Sequence, residues 1–404
     1  MNKKLLISAV FIAFFATFSI SVRAWDDAGH KLSAYIAWHQ LQPEVREQVI
    51  SILLNAPEDS DLNVIYNAYD SRSKEIKQLE LFMYAATWSD VIRNKFFKVR
   101  YENYNNGIWH YSDIFWKQEN GKPEILENFP EESGKAIPKL YDFEKTLRDS
   151  NALDAEKAIA IAWFLHVGGD IHNPLHNASR VTETEPKGDQ GGNLFLLTPG
   201  DAKPRINLHG YWDSLITKNM PRENDACDAE YIPGLGKKIL SEFPFSKMEN
   251  RLKIGDFHAW NSEGFDLLSD RVYAKNLVRG ELPPKEYQAQ AFALAREELA
   301  LAGYRLGETL NDIFGDKSPK VANCKIIQRV MYPVSQTSTP DQKLTIALLN
   351  LCPPNKGKLA RPMIPFLIDG KSVFFEYDVE RVFKTPAEAL KYAKDNDISD
   401  VTVN

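Results

Sequence analysis

One short segment constrains this chain more than any other, because in it an apolar helix carries ligand side chains. In Phe164-Leu165-His166-Val167-Gly168-Gly169-Asp170-Ile171-His172-Asn173-Pro174-Leu175-His176, His166 and Asp170 stand one helical turn apart. Both leave the same helix face and can close on one ion. The surrounding Ile, Ala, Trp, Phe and Leu positions put that face in an apolar interior, where a carboxylate is costly unless it meets a cation. His176 follows just past the helix stop at Pro174, and Asn207-Leu208-His209-Gly210-Tyr211-Trp212-Asp213 repeats the His/Asp spacing. Half of the chain's 8 histidines fall in these two stretches, which reads as a polynuclear metal site. His172 is turned about 200° from Asp170 around the helix and reads as a packing or supporting residue.

The other end of the chain reads as a secretory signal. Lys3 and Lys4 precede an apolar run from Leu5 to Val22, and Val22-Arg23-Ala24 offers small residues to a signal peptidase. The rival reading is a membrane anchor, since the run is near the lower limit for a span. Cleavage after Ala24 makes Trp25 the new N-terminus of a secreted or periplasmic protein with no stable membrane insertion. Its α-amine and carbonyl can then chelate an ion, with His30 as a third donor. Asp90 in Trp88-Ser89-Asp90 and His110 in Trp109-His110-Tyr111 complete the candidate set, although alone they read as a cap and a core residue. His39 and His258 have no ligand partner at useful spacing.

The formal net charge of −6 argues against a generic basic surface for duplex DNA, but bound cations would reverse the field locally. The three cysteines, Cys227, Cys324 and Cys352, fit no Cys-rich zinc pattern. In an oxidising compartment two can pair, and Cys324 with Cys352 is the favoured pair, leaving Cys227 free. Periodicity predicts helices over 29–40, 43–54, 73–100 with a break near Thr87, and 136–149. A central helix capped by Asp154 runs to about Ile171, with further helices over 208–218, 231–243, 258–271 and 284–314. The Gly- and Pro-rich stretch 182–204 reads as a surface loop over the site, with a short hairpin at 193–197. After residue 318 the pattern turns to β, with an apolar run over 343–351, a hairpin over 366–375 on Asp369-Gly370 and a short helix from Thr385. The expected division is a catalytic body over 25–318 and a small α+β appendage over 319–404.

Taken in order, Trp25 with His30, Trp-Ser-Asp at 88–90, His110-Tyr111, the Phe-Leu-His-x-x-x-Asp-x-x-x-Pro-Leu-His core, Gly191-Gly192-Asn193 and Asn-Leu-His-x-x-Trp-Asp at 207–213 resemble the S1/P1 nuclease family of zinc-dependent, single-strand-specific nucleases. The resemblance covers residues 25 to about 315. It implies a mainly α fold, phospholipase C/P1 nuclease-like, and three Zn²⁺ ions. By matching positions, Asp90, His110, His166 and Asp170 hold one; the Trp25 amine and carbonyl, His30 and the same Asp170 hold a second; His176, His209 and Asp213 hold a third. The implied reaction is hydrolysis of single-stranded DNA and RNA to 5′-phosphorylated products, with 3′-nucleotidase activity on nucleotides. Asp113 matches the position that orients the attacking water, Arg93 a basic position that braces the phosphate, and Asn193 a donor to phosphate or water. Tyr111 is a candidate platform for an unpaired base. Fungal members carry disulfides in this body that a single Cys227 cannot form, so the chain is similar to bacterial-type members. The alternative is a zinc phospholipase C, which is disfavoured by the short Trp25–His30 gap and by Asp213, where those enzymes resemble one another in carrying Glu.

Overall fold

Helix boundaries in this protein follow local capping chemistry. The computed structural model describes residues 25–315 except 67–71, 120–121, 132 and 224–225, together with 324–334, 365–368, 372–383 and 391. α1 (Asp27–Gln40) starts where the Asp26 carboxylate accepts from the Gly29 N–H at 3.0 Å, and α2 (Pro43–Leu54) carries proline in its first turn, where no N–H is needed. α3 (Lys74–Val91) is capped by the Ser73 hydroxyl. α4 (Lys98–Tyr104), α5 (Ala136–Arg148) and α6 (Asp154–Asp170) follow. Next come α7 (Leu208–Asp213), α8 (Leu215–Asn219), α9 (Asp228–Glu242) and α10 (Phe245–Met248). The last two are α11 (Phe257–Asp266) and the 30-residue α12 (Lys285–Phe314).

α6 is the central element. From Ala158 to its end nearly every side chain is buried, and it packs against α1, α2, α3, α5 and α12. A helix apolar all round is one enclosed by others. The outer pair α1 and α12 meet closely because α12 offers glycine at the crossing: a Cβ on Gly303 would lie 2.5 Å from Ile36 Cβ and 2.8 Å from the Ser33 carbonyl oxygen. Beside the helices, β1 (Ile114–Glu119) pairs antiparallel with β2 (Lys122–Ile125) and parallel with β3 (Ala178–Arg180). The fold is mainly α, as expected, but this small sheet was not legible in the sequence. Further on, β4 (Cys324–Val334), β5 (Pro365–Ile368) and β6 (Ser372–Phe383) form an antiparallel sheet in the order β4-β6-β5. Leu367 opposes Val373, the pairing a hairpin over 366–375 requires; its Asp369-Gly370 turn lies outside the described residues. So do residues 1–24, expected to be a signal, the expected apolar run over 343–351 and the expected helix from Thr385. No described helix is long and apolar enough to cross a membrane.

Several boundaries differ from the periodicity. α3 passes through Thr87, whose hydroxyl donates to the Tyr84 carbonyl at 3.1 Å, and breaks instead over 92–97. There the Arg100 guanidinium reaches back to the Val91 carbonyl. The cap of α6 is Leu153 rather than Asp154, because the Glu156 carboxylate accepts from the Leu153 N–H at 3.0 Å. The stretch 208–218 is two helices divided at Ser214, and α9 starts a turn earlier than expected. The expected hairpin at 193–197 is absent: Leu196 bridges to Asn207. The loop is also not wholly superficial, since Asp189 and Leu197 are fully buried.

The cysteine expectation is corrected as well. Cys227, buried at the start of α9, is disulfide-bonded, so the pairing that left it free does not hold. Spacing alone does not decide which thiols meet; the fold does.

Gly303→Ala should destabilise the protein by about 1–3 kcal/mol through overpacking. Denaturant unfolding checks this, and an unchanged midpoint would mean that α1 and α12 can separate freely.

Candidate metal centre

The end of α6 brings three imidazoles onto one carboxylate. Asp170 is fully buried. Its Oδ1 lies 3.2 Å from His30 Nε2, and its Oδ2 lies 3.3 Å from both His110 Nδ1 and His166 Nε2. α1 supplies His30, the turn before β1 supplies His110, and α6 supplies the other two. His110 Nδ1 is 2.8 Å from His166 Nε2, and Asp90 at the end of α3 joins these two within ligand reach. A separate group forms where His176, after α6, meets His209 and Asp213 on α7. There the His209 Nε2 to Asp213 Oδ2 distance is 3.6 Å.

The electrostatics of these groups are those of ligands. Burial pushes His30, His110 and His176 well below the usual imidazole range, and His166 below it too, so each offers a neutral lone pair. Burial, with Asp90 second, pushes Asp170 well above the carboxylate range, and burial does the same to Asp213. Such a carboxylate needs a cation to ionise. Among the described residues, both Asp170 oxygens, both His30 nitrogens, His110 Nε2 and His176 Nε2 are buried without a hydrogen-bond partner. Several orphaned polar atoms in one place are costly unless something binds them. Divalent cations with nitrogen and oxygen preference fit this donor set.

At His166, His176 and His209 the second ring nitrogen is spoken for, as metal-binding histidines require. His166 Nδ1 donates to the Ala86 carbonyl at 2.7 Å, His176 Nδ1 to that of His110 at 2.7 Å, and His209 Nδ1 to that of Gly191 at 2.8 Å. Each bond aims Nε2 at the site. Gly191 has φ +60°, and a Cβ there would lie 2.3 Å from the Leu175 carbonyl oxygen. Only glycine lets this loop approach closely enough to hold His209.

Residues 25–315 match the S1/P1 nuclease family model. The chain belongs to the S1/P1 nuclease family. Members of this family are hydrolases of phosphodiester bonds. The chain is similar to nuclease P1 of Penicillium citrinum and nuclease PA3 of Penicillium sp, with 24% identity to each across 73% of this chain and 100% of theirs. It is 30% identical to endonuclease 2 of Arabidopsis thaliana over 39% of this chain and 52% of that protein. The chain thus spans about half the length of the plant relatives it matches.

Around the S1/P1 centre the other expected residues fall as follows. Trp25 is fully buried, with its indole N–H donating to the Gly169 carbonyl at 3.1 Å. The Asp26 N–H donates to the Asp213 carbonyl at 3.0 Å, so the backbone at 25–26 docks between α6 and α7. Arg93 Nη1 donates to Asp90 Oδ1 at 3.2 Å. Tyr111 and Asp113 line a cleft of about 490 Å³, together with Leu175, Gln190, Gly191 and His209. Burial raises the Asp113 carboxyl to about 6, against a 3.3 Å bond from the Gly134 N–H. Asn193 is not among the cleft's lining residues. Its amide donates to the Gln190 carbonyl at 2.9 Å and accepts from Asn207, so it braces the loop.

Sequence reasoning passed over Asn173, whose amide donates to Asp213 Oδ1 at 2.9 Å while its own oxygen accepts from the Leu175 N–H. Its place directly before Pro174, inside the ligand segment, was the available signal. His172 does support rather than ligate: its Nδ1 donates to the Gly168 carbonyl at 2.6 Å, and its Nε2 accepts from the buried Arg305 at 3.0 Å.

If zinc is the ion held here, Asp170→Asn should reduce the zinc bound by at least one ion per chain and lose most of the rise in melting temperature expected when zinc is added to the metal-stripped protein. A variant with the wild-type zinc content and the same rise would disprove the shared-carboxylate geometry.

Proposed function

We propose that this chain is a secreted, zinc-dependent endonuclease. It hydrolyses single-stranded DNA and RNA to 5′-phosphorylated products and also removes 3′-phosphates from nucleotides. The observation that carries this reading is the pair of buried His/Asp groups, one built on Asp170 and one on Asp213, opening beside a cleft that holds Tyr111 and Asp113. Asp90, His110, His166 and Asp170 hold one zinc ion. His30 and Asp170 hold a second with the Trp25 amine and carbonyl, and His176, His209 and Asp213 hold a third. When bound, zinc supplies Lewis acidity toward a phosphodiester and lowers the pKa of water toward neutrality.

The side chains do the rest. Arg93, already on Asp90, lends positive charge to the phosphate as negative charge builds on its oxygens. Asp113 accepts a hydrogen bond from the attacking water and so fixes its direction. Tyr111 stacks an unpaired base, and a duplex, whose bases are already stacked on each other, cannot offer one. A direct phosphate contact from Asn193 would require it to release Gln190 and Asn207. The Trp25 chelate requires removal of 1–24, which makes metal binding depend on export. Residues 25–318 form the catalytic unit in this reading, and 319–404 an appendage.

Hydrolysis of single-stranded DNA, RNA and phosphatidylcholine, compared side by side with the chelated and zinc-restored protein, tests the proposal. Zinc-restored cleavage of the nucleic acids alone is expected; cleavage of the lipid alone would replace the nuclease with a phospholipase C. Asp113→Asn should lower kcat by about a hundredfold or more at unchanged zinc content. If both stay at the wild-type level, Asp113 does not handle the water. One extra residue before Trp25 should weaken zinc binding measurably, and an unaltered titration would remove Trp25 from the ligand set.

A further inference from the structure

Between α3 and α4 the chain builds a turn of which the proposed catalytic reading uses only Arg93. Arg93-Asn94-Lys95-Phe96-Phe97-Lys98-Val99-Arg100 carries four cations, and no carboxylate occurs from residue 91 to residue 101, in a chain of net charge −6. The turn is held from within. The Phe96 N–H donates to the Asn94 side-chain oxygen at 3.0 Å, and the Phe97 N–H donates to the Asn94 carbonyl at 3.1 Å. The Phe97 ring lies under the Arg100 guanidinium at 4.4 Å, and Arg100 is itself anchored to Asp61 at 3.1 Å. With Phe97 and Arg100 turned inward, the neighbouring positions face out: Phe96 is 52% and Val99 59% exposed, and Lys95 and Lys98 are exposed as well.

Phe96 thus keeps about half of its surface in water. Its flanking lysines give the surface one sign, and the sign opposes that of the rest of the molecule. Aromatic faces alternating with cations suit a polyanion with free bases: each base has a face to stack on, and each phosphate takes a positive charge. The turn also begins at the site, because Arg93 is bonded to Asp90. Three residues of chain put Phe96 at most about 11 Å further out, the reach of a nucleotide or two along an extended strand.

We infer that the turn at 93–99 is a second, accessory binding site for single-stranded nucleic acid, where Phe96 stacks a base beyond those flanking the scissile bond and Lys95 and Lys98 hold the adjoining phosphates. The inference rests on the nuclease reading and extends it to the length of substrate the protein prefers. Among the described residues Lys98 pairs with Glu102 at 3.8 Å, a loose, solvent-exposed contact that a phosphate can displace.

The test compares Phe96→Ala, and separately Lys95→Ala with Lys98→Ala, against wild type on a dinucleotide and on a longer oligothymidylate. Oligothymidylate binding to the chelated protein is followed by fluorescence anisotropy. Phe96→Ala should lower kcat/KM for the oligonucleotide by about five- to a hundredfold and leave the dinucleotide unchanged. The double lysine variant should flatten the salt dependence of oligonucleotide binding by about 0.7 in logarithmic slope per lysine. If the variants slow both substrates equally or neither, the accessory site is overturned while the nuclease reading stands. If they instead lose only binding to anionic vesicles, the turn serves a membrane surface and the inference is also wrong. A wild-type protein that cleaves neither substrate would overturn both readings, so the two failures are distinct.

Discussion

The rest of the structure depends on one buried carboxylate. Asp170 sits at zero exposure with three imidazoles around it and neither oxygen hydrogen-bonded. Removed from water, it feels Arg93 only weakly against the effect of burial, which drives it toward the protonated form. Three neutral histidines cannot neutralise it. The arrangement is favourable only when divalent charge is supplied from outside, so the energy stored in this desolvated cluster becomes metal affinity.

Holding that cluster open to a metal takes a rigid frame, and α6 provides it. The helix is enclosed by five others and stops at Asp170, where the chain must turn before Pro174. The stop is reinforced behind the site: His172 satisfies the Gly168 carbonyl and is held by Arg305 from α12. In front of it, the Ala86, His110 and Gly191 carbonyls each take an imidazole N–H and fix the direction of the opposite nitrogen. Backbone oxygens are well suited to that task because they are carried by helix ends and turns, and so move less than side chains.

The candidate ligand pairs were legible because metal chemistry restricts residue type and helical geometry restricts spacing. His166 with Asp170, and His209 with Asp213, announce themselves by position in an apolar context. His30, Asp90 and His110 do not. Each is ordinary in its own surroundings and joins a candidate metal group only because α1, α3 and the turn before β1 converge on α6. The same limit explains the errors. Periodicity suggested a helix break near Thr87, but its hydroxyl bonds the preceding turn and the helix continues. Asp154 resembled a cap, yet it is the first residue of the helix, and Glu156 reaches back to the Leu153 N–H.

By itself, the sequence determined the helical character of the body and the identity of the ligand segment, because both follow from local periodicity and from which side chains can bind a cation. Tertiary structure alone decided that Asp170 would face three histidines from three elements, that the Gly191 loop would close on His209, that Cys227 would be cross-linked, and that Phe96 would stand in solvent while Phe97 turned inward. These outcomes depend on contacts between residues far apart in the chain, and local spacing carries no record of which distant surfaces will meet.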